Sequence, residues 1–318
     1  MLIDLITGFL GSGKTTFIRL YARELMRRGE KICILENDYG AVNVDMMFLQ
    51  DLLGEQCELE MVIGGDGYEA HRRRFRTKLI SMAMMGYDRV LVEPSGVYDV
   101  DEFFDVLREE PLDRWYTIGN VISIVSSQIR EDLSEESEYL LASQIANAGC
   151  VILSKSDDAS YSTAQSTVDM MNRIMDQFHC KRRFGNDVIA ADLLAPDPLD
   201  FEAIMRCGYH IEDHLKYQVE KSNGYKSLFY FYVRMTESEV RNAVDKIFRD
   251  PSCGSVHRVK GFVKLDERKW LQINAVSDQK ELEIRDSGRE AVIVIGEDLG
   301  KPAVDRYFME HSRYHGEL

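Results

Sequence analysis

The chain has 318 residues, a formal net charge of −15 and 45% hydrophobic residues. A chain of that length and apolar content buries a full core and has room for two domains, which excludes an intrinsically disordered protein. Its acidity argues against a nucleic-acid-backbone binder, a class that is usually basic. The six cysteines (Cys33, Cys57, Cys150, Cys180, Cys207 and Cys253) are scattered without a C-x-x-C, as expected of buried, reduced thiols in a cytoplasmic protein. Asp4 interrupts the apolar start and no apolar run approaches about 20 residues, so neither a signal peptide nor a membrane span is expected.

In chain order, "LIDLIT" (2–7) reads as a buried strand. "TTFIRLYARELMRRG" follows as a helix with Phe17, Ile18, Leu20, Tyr21 and Leu25 on one broad face and Gly29 as its stop. Strands are expected at 31–37, 58–63, 89–94, 120–127, 150–155 and 187–194, and helices at 69–86 and 162–178. The acidic "EDLSEESE" (131–138) reads as a solvated helix start, and the Met-rich "SMAMMG" and "DMMNRIMDQF" as packing segments. Alternation of this kind implies a mostly parallel sheet with helices on both faces, with ligands held beyond the carboxyl ends of the strands.

From about Ser222 the pattern changes. "YKSLFYFYVRM" alternates like a half-buried strand, and "TESEVRNAVDKIF" opens with a capping box of Thr236 and Glu239. "VHRVKGFVKL", "KWLQINAV" and "EAVIVIG" read as strands, and the tail after Lys301 as helical or frayed. The expected organisation is an α/β domain over 1–215 and a smaller C-terminal α+β domain over 222–318, joined through the polar stretch 216–226.

Three glycines, a lysine and two threonines stand between the first strand and the first helix. Gly8 to Thr15 fits G-x-x-x-x-G-K-[ST], the phosphate loop of P-loop nucleoside triphosphatases. A triphosphate needs several backbone N–H groups pointing inward, and side chains at Gly8, Gly11 and Gly13 would block it. Lys14 reaches the β- and γ-phosphates, the Thr15 hydroxyl joins the shell of Mg²⁺, and Ser12 and Thr16 complete the phosphate-binding set. In "VLVEPSG" (90–96) Glu93 ends a strand as a candidate Mg²⁺ ligand, and the Gly96 N–H faces the γ-phosphate.

"SKSD" (154–157) resembles the guanine-reading N-K-x-D element, with Ser154 in the Asn place. An Asp157 carboxylate accepts from guanine N1–H and the 2-amino group, whereas adenine offers it only an acceptor. The Lys155 stem covers the base. Serine in place of Asn is expected to lose one tie to the phosphate loop. "IAA" (189–191) is a candidate backbone contact to the guanine oxygen. In "ILENDYGAVNVD" (34–45), Glu36, Asp38 and Asp45 are candidates for water-mediated Mg²⁺ contact or for orienting the attacking water, an acidic loop being the alternative. Asp38 joins Lys14 and Glu93 as a catalytic candidate.

"GFLGSGKTT", "ENDYG", "VEPSG", "SKSD" and "VHRVKGFVKL" occur in the order seen in CobW-like GTPases, a family that this chain resembles over most of its length. The resemblance implies GTP and Mg²⁺ as ligands, slow GTP hydrolysis, and delivery of a metal or corrinoid cofactor to a client protein, with homodimers among the relatives. One departure concerns the family's G-C-x-C-C metal motif. Here the stretch reads "VIGGDGYEAHRRRF", so Gly65, Gly67 and Tyr68 stand where the cysteines would be if Gly64 takes the motif's glycine place. Cys57 nearby is a single thiol, short of a tetrahedral site. Asp66, Glu69 and His71 form an alternative oxygen/nitrogen set, against a plain acidic helix start. "HRRRFR" (71–76) reads as a solvated helix face, and His311 and His315 as surface residues of the tail. Two other functions fit a phosphate loop, a nucleotide-gated binding protein without a metal-carrier role and a small-molecule kinase. Asp157 speaks against ATP as the donor.

Overall fold

The structure, a computed structural model, describes residues 1–38, 45–64, 68–98, 100–130, 132–156, 161–185, 187–212, 225–312 and 314–317. The chain forms two compact units, Met1–Tyr39 with Phe48–Val219, and Gly40–Met47 with Glu220–Leu318.

The first unit runs β1 (Leu2–Thr7), α1 (Lys14–Arg27), β2 (Ile32–Asp38), a 3₁₀ helix (Asp45–Leu52) that begins in the other unit, β3 (Cys57–Ile63), α2 (Tyr68–Met82) and β4 (Arg89–Pro94). It continues through α3 (Val100–Leu107), α4 (Leu112–Trp115), β5 (Thr117–Ser126), α5 (Glu135–Ala146), β6 (Cys150–Ser154), α6 (Tyr161–Gln177), β7 (Val188–Ala190) and α7 (Phe201–Ile204). The strands pair in parallel in the order β3-β2-β4-β1-β5-β6-β7.

Side chains alternate along each strand, and the alternation builds two apolar layers. Ile3, Leu5, Cys33, Leu35, Val90 and Val92 pack with α2, α3, α5 and α6 on one face. Ile6, Ile32, Ile34, Leu91, Ile122 and Ile124 pack with α1 and α7 on the other. β1, the origin of the phosphate loop, lies between β4 and β5 inside the sheet and is thereby fixed from both sides.

Two elements differ from expectation. The strand expected over 187–194 is only Val188–Ala190, because Asp192 takes the next amides into a turn, with its Oδ1 accepting from Leu194 N at 3.0 Å and its carbonyl from Ala195 N at 3.0 Å. The acidic stretch does start a helix, with Ser134 Oγ accepting from Ser137 N. Its Glu138, however, is buried and receives Arg173 and Gln177 of α6, so that side is not solvated. Of the methionines, Met82, Met170, Met171 and Met175 are buried while Met84 and Met85 are exposed.

The second unit carries β8 (Tyr225–Phe231), α8 (Glu237–Ile247), β9 (Ser255–Lys264), β10 (Trp270–Ala275), β11 (Lys280–Arg285), β12 (Ala291–Glu297), α9 (Lys301–Phe308) and β13 (Tyr314–Glu317). The sheet is antiparallel, in the order β11-β10-β9-β12-β8-β13. Val259, Val263, Leu271, Ile273, Val292 and Val294 meet the apolar faces of α8 and α9 in one core. The Thr236–Glu239 capping box starts α8. The tail is helical only to Phe308; beyond it β13 pairs with the outer edge of β8, which satisfies backbone groups that an edge strand leaves open. Among the described residues no helix is long and apolar enough to cross a membrane.

One charged residue sits inside the first sheet. Asp4 is fully buried in β1, and its carboxylate accepts from Arg89 Nη1 at 2.7 Å, Tyr21 Oη at 2.8 Å and the Asn120 amide at 2.8 Å. Arg89 also donates to Glu30 at 2.8 Å. Removing one partner strands a buried charge, so Arg89→Met is expected to lower unfolding stability by about 3–5 kcal/mol. Asp4→Asn combined with Arg89→Met is expected to recover most of that loss. Urea unfolding of the three chains checks both statements, and equal stability of Arg89→Met and wild type would contradict them.

Candidate nucleotide and magnesium site

The loop after β1 is shaped for a ligand to approach its backbone. At Gly8 φ is +142°, and a Cβ there would lie 2.1 Å from the Ile124 carbonyl oxygen of β5, so only glycine fits. Gly13 precedes α1 with φ +96° and no side-chain cap, and the first turn holds no acidic residue. The donors at that helix start therefore face the loop uncapped by a side chain, with the positive end of the helix dipole behind them. Lys14 is buried and its Nζ donates to the carbonyls of Gly8 at 2.9 Å and Phe9 at 3.4 Å. The Ser12 hydroxyl is buried without a hydrogen-bond partner among the described residues.

Thr15 follows Lys14 in the first turn of α1, and its Oγ1 donates to Glu93 Oε1 at 3.0 Å. Glu93 ends β4 in direct lateral register with Glu36 of β2. Both follow, two residues on, side chains that face α1 (Leu91 and Ile34), so the two carboxylates emerge on that same face, and both are buried. Two buried carboxylates on strands about 4.8 Å apart repel one another unless a cation lies between or beside them. A hydroxyl with hard carboxylate oxygens is a donor set that suits Mg²⁺. The residues present therefore fit the ion.

Gly96 closes the site from the β4 side. A Cβ on it would come within 2.7 Å of the Leu10 side chain and 2.8 Å of its amide nitrogen, so the turn lies directly on the phosphate loop. Its carbonyl accepts from the buried Gln144 Nε2 of α5 at 2.9 Å. Nothing in the linear pattern points to Gln144.

The third element sits at the end of β6. Ser154 Oγ donates to the Ser12 carbonyl at 2.6 Å. The tie to the phosphate loop expected to be lost with serine is thus made by the serine itself, because β6 ends close enough for the shorter side chain to reach. Lys155 adopts φ +56°, and its carbonyl accepts from Ser127 Oγ at 2.9 Å. The Ala191 amide donates to the Leu153 carbonyl at 2.9 Å, which engages that N–H within the fold. Asp157 lies outside the described residues. Thr16 lies in the first turn of α1, and Gly11 has φ +72°.

The segment after β2 divides its acidic candidates. Asp38 ends β2 opposite Ile63 of β3. Asp45 has both carboxylate oxygens engaged in the second unit, by Arg258 at 3.0 Å and Lys260 at 2.5 Å. Between these, Asn37 was not singled out by its sequence context. It is fully buried, its Oδ1 lies 2.7 Å from His71 Nε2, and its carbonyl accepts from the Ser95 amide at 2.9 Å.

That contact turns His71 inward, whereas Glu69 is exposed, so the two do not share a site; Asp66 lies outside the described residues. Among the described residues no cluster of three or more His, Cys, Asp or Glu is placed to hold a metal. Burial, then the adjacent Glu58 carboxylate, pushes the Cys57 thiol up to about 11, so it is protonated at neutral pH and a poor ligand. The arginines of 71–76 are partly committed to the fold, since Arg72 and Arg76 pair with Glu109, and Arg74 donates to the Gly64 carbonyl.

A family model described as CobW/HypB/UreG, nucleotide-binding domain, matches residues 2–184. The chain belongs to the CobW/HypB/UreG family. The matched segment holds the phosphate loop, Glu93, Gly96 and Ser154, the residues brought together above. Among relatives, the zinc chaperone YeiR of Escherichia coli is 29% identical over 164 residues, 51% of this chain and 49% of its own. The zinc chaperone YjiA of the same organism is 27% identical over 168 residues, 49% of this chain and 50% of its own. The zinc-regulated GTPase metalloprotein activator 1 of Schizosaccharomyces pombe is 21% identical over 167 residues, 49% of this chain and 39% of its own. The matches thus span about half the length of the two bacterial relatives.

Within this CobW/HypB/UreG site, Ser154→Ala removes the bond to Ser12 and leaves a buried carbonyl unsatisfied, a loss of about 1–3 kcal/mol. Nucleotide affinity is expected to fall roughly 5- to 150-fold, with base preference unchanged. Fluorescent-nucleotide titration of the variant checks this, and unchanged affinity would show that the tie carries nothing.

Proposed function

We propose that the chain binds GTP with Mg²⁺, hydrolyses it slowly, and uses the cycle to time delivery of a metal or corrinoid cofactor to a client protein. The observation that carries this reading is the coincidence of Lys14 curled onto its own loop with the Thr15–Glu93 pair one residue away. An ammonium placed over the loop is within reach of a phosphate bound there, and a threonine hydroxyl on a glutamate is the start of a hard-cation shell.

In this reading Lys14 leaves the carbonyls of Gly8 and Phe9 and donates to β- and γ-phosphate oxygens. The amides around Gly11, Ser12, Gly13, Lys14, Thr15 and Thr16 hold the phosphates, and the Gly96 N–H meets the γ-phosphate. Thr15 and Glu93 would hold Mg²⁺, which when bound neutralises charge on the β- and γ-oxygens. Asp38 orients the attacking water, Asp157 accepts from guanine N1–H and the 2-amino group, and the Lys155 stem lies along the base. Slow turnover suits a timer, since the triphosphate state then lasts long enough for a client to engage.

The zinc-chaperone names of the relatives support a metal-delivery role. The glycines at 65 and 67 and the protonated Cys57 remove the thiolate carrier chemistry, so the cargo is held by the client or by oxygen and nitrogen ligands. The same absence favours a second reading, a nucleotide-gated binding protein with no metal cargo. A cytoplasmic, homodimeric protein fits either.

Three measurements test the proposal. Lys14→Ala deletes two charge-assisted hydrogen bonds at about 1.5–3 kcal/mol each and is expected to weaken GTP binding about a hundredfold or more. Retained affinity would move the site elsewhere. Asp157→Asn replaces an acceptor by a donor and is expected to shift preference from GTP to XTP; unchanged base choice removes the guanine assignment. Zn²⁺ titration of the purified chain is expected to show no thiolate charge-transfer absorption, and a tight stoichiometric thiolate signal would restore the carrier role.

A further inference from the structure

We propose that Gln144 of α5 is a positioning residue that aims the Gly96 N–H at the γ-phosphate, and so sets how well the site tells a nucleoside triphosphate from a diphosphate; this rests on the GTP reading above. All the groups involved lie in the first unit. The turn after β4 is tied down at nearly every polar backbone group. The Ser95 amide donates to the Asn37 carbonyl of β2 at 2.9 Å, and the Ser95 carbonyl accepts from the Tyr98 amide at 3.0 Å. The Gly96 carbonyl accepts from Gln144 Nε2 at 2.9 Å. The Gly96 N–H is the exception, with no backbone acceptor among the described residues. It belongs to a buried glycine packed on Leu10 of the phosphate loop. A polar group in such a place is costly to leave unpaired, and an oxygen of a phosphate held by the loop supplies the acceptor.

Gln144 is fully buried, on a helix whose other inward residues include Leu141, Ala142 and Ile145. A residue that only filled this core would be apolar as they are. A carbonyl only accepts, so the side-chain amide presents Nε2 to Gly96, and Oε1 is left buried with no partner among the described residues. An orphaned amide oxygen is unfavourable, and here it accompanies the placing of a donor at Gly96. The adjacent Ser143 Oγ accepts from the Val100 amide at 3.2 Å, so α5 holds the chain at two points beyond β4. Glycine rotates more freely about its backbone bonds than any other residue, and fixing its carbonyl restricts the direction of its N–H. That N–H meets only the γ-phosphate. A diphosphate offers it nothing, so Gln144 bears on the triphosphate state alone.

The test compares the affinities of the full chain for GDP and for a non-hydrolysable GTP analogue, each with Mg²⁺. Gln144→Met keeps the side-chain length and removes the donor. It is expected to weaken analogue binding about tenfold, the size of one lost hydrogen bond, and to leave GDP binding within about twofold of wild type. Gln144→Asn holds the amide one methylene short of Gly96 and is expected to show the same split, so a packing defect peculiar to methionine does not decide the outcome. In wild type, hydrogen exchange of peptides covering 95–98 is expected to slow at least about threefold when the analogue replaces GDP, and either variant is expected to lose that protection. Exchange there that is the same with both nucleotides would overturn the proposal without any substitution. Equal losses of analogue and GDP affinity in both variants would show a merely structural role and would also overturn it. A wild-type chain that binds neither nucleotide sinks the GTP reading and this inference together, whereas wild-type binding of both, with an unchanged affinity ratio in the variants, sinks the inference alone.

Discussion

The structure depends on one arrangement, a buried ammonium held over a ring of backbone at the start of a helix. Lys14 leans on the carbonyls of Gly8 and Phe9. Around it the Ser12 hydroxyl has no partner among the described residues, and the start of α1 is uncapped by a side chain. Each of these groups is a donor, and together they describe the negative of a phosphate chain. The sheet exists to hold that arrangement still. β1 sits between β4 and β5, Gly8 is wedged under the Ile124 carbonyl, and Gly96 lies on Leu10. A loop so constrained loses little further entropy when a ligand arrives, which is the physical content of preorganisation.

Much of this was legible in the sequence because it is local. Short apolar runs gave the strands, the G-x-x-x-x-G-K-T spacing gave the loop, and the Thr236–Glu239 box gave the start of α8. Legibility failed where tertiary distance decides. Whether Ser154 could replace an asparagine depended on how near β6 ends to the loop, and the gap proved short enough for one hydroxyl at 2.6 Å. Asp45 looked like a loop carboxylate free to serve the nucleotide; its true partners are more than 200 residues away, a distance no periodicity reports. Likewise the inward turn of His71 onto Asn37 hides a residue that its arginine-rich context had suggested was on a solvated face.

The metal question divides along the same line. Two of the relatives are named zinc chaperones. Among the described residues near β3, Cys57 is buried on the α1 face with its thiol pushed up to about 11, which makes it a poor soft ligand. What the chain retains is the nucleotide machinery and a second unit with a charged, buried sheet face.

The most direct measurement is a crystal structure of the chain with a non-hydrolysable GTP analogue and Mg²⁺. The expected result is Lys14 Nζ withdrawn from the Gly8 and Phe9 carbonyls onto phosphate oxygens, a metal at Thr15 beside Glu93, and guanine at the end of β6. A loop that keeps Lys14 on its own carbonyls, with the analogue absent or seated elsewhere, would contradict the nucleotide assignment at its root.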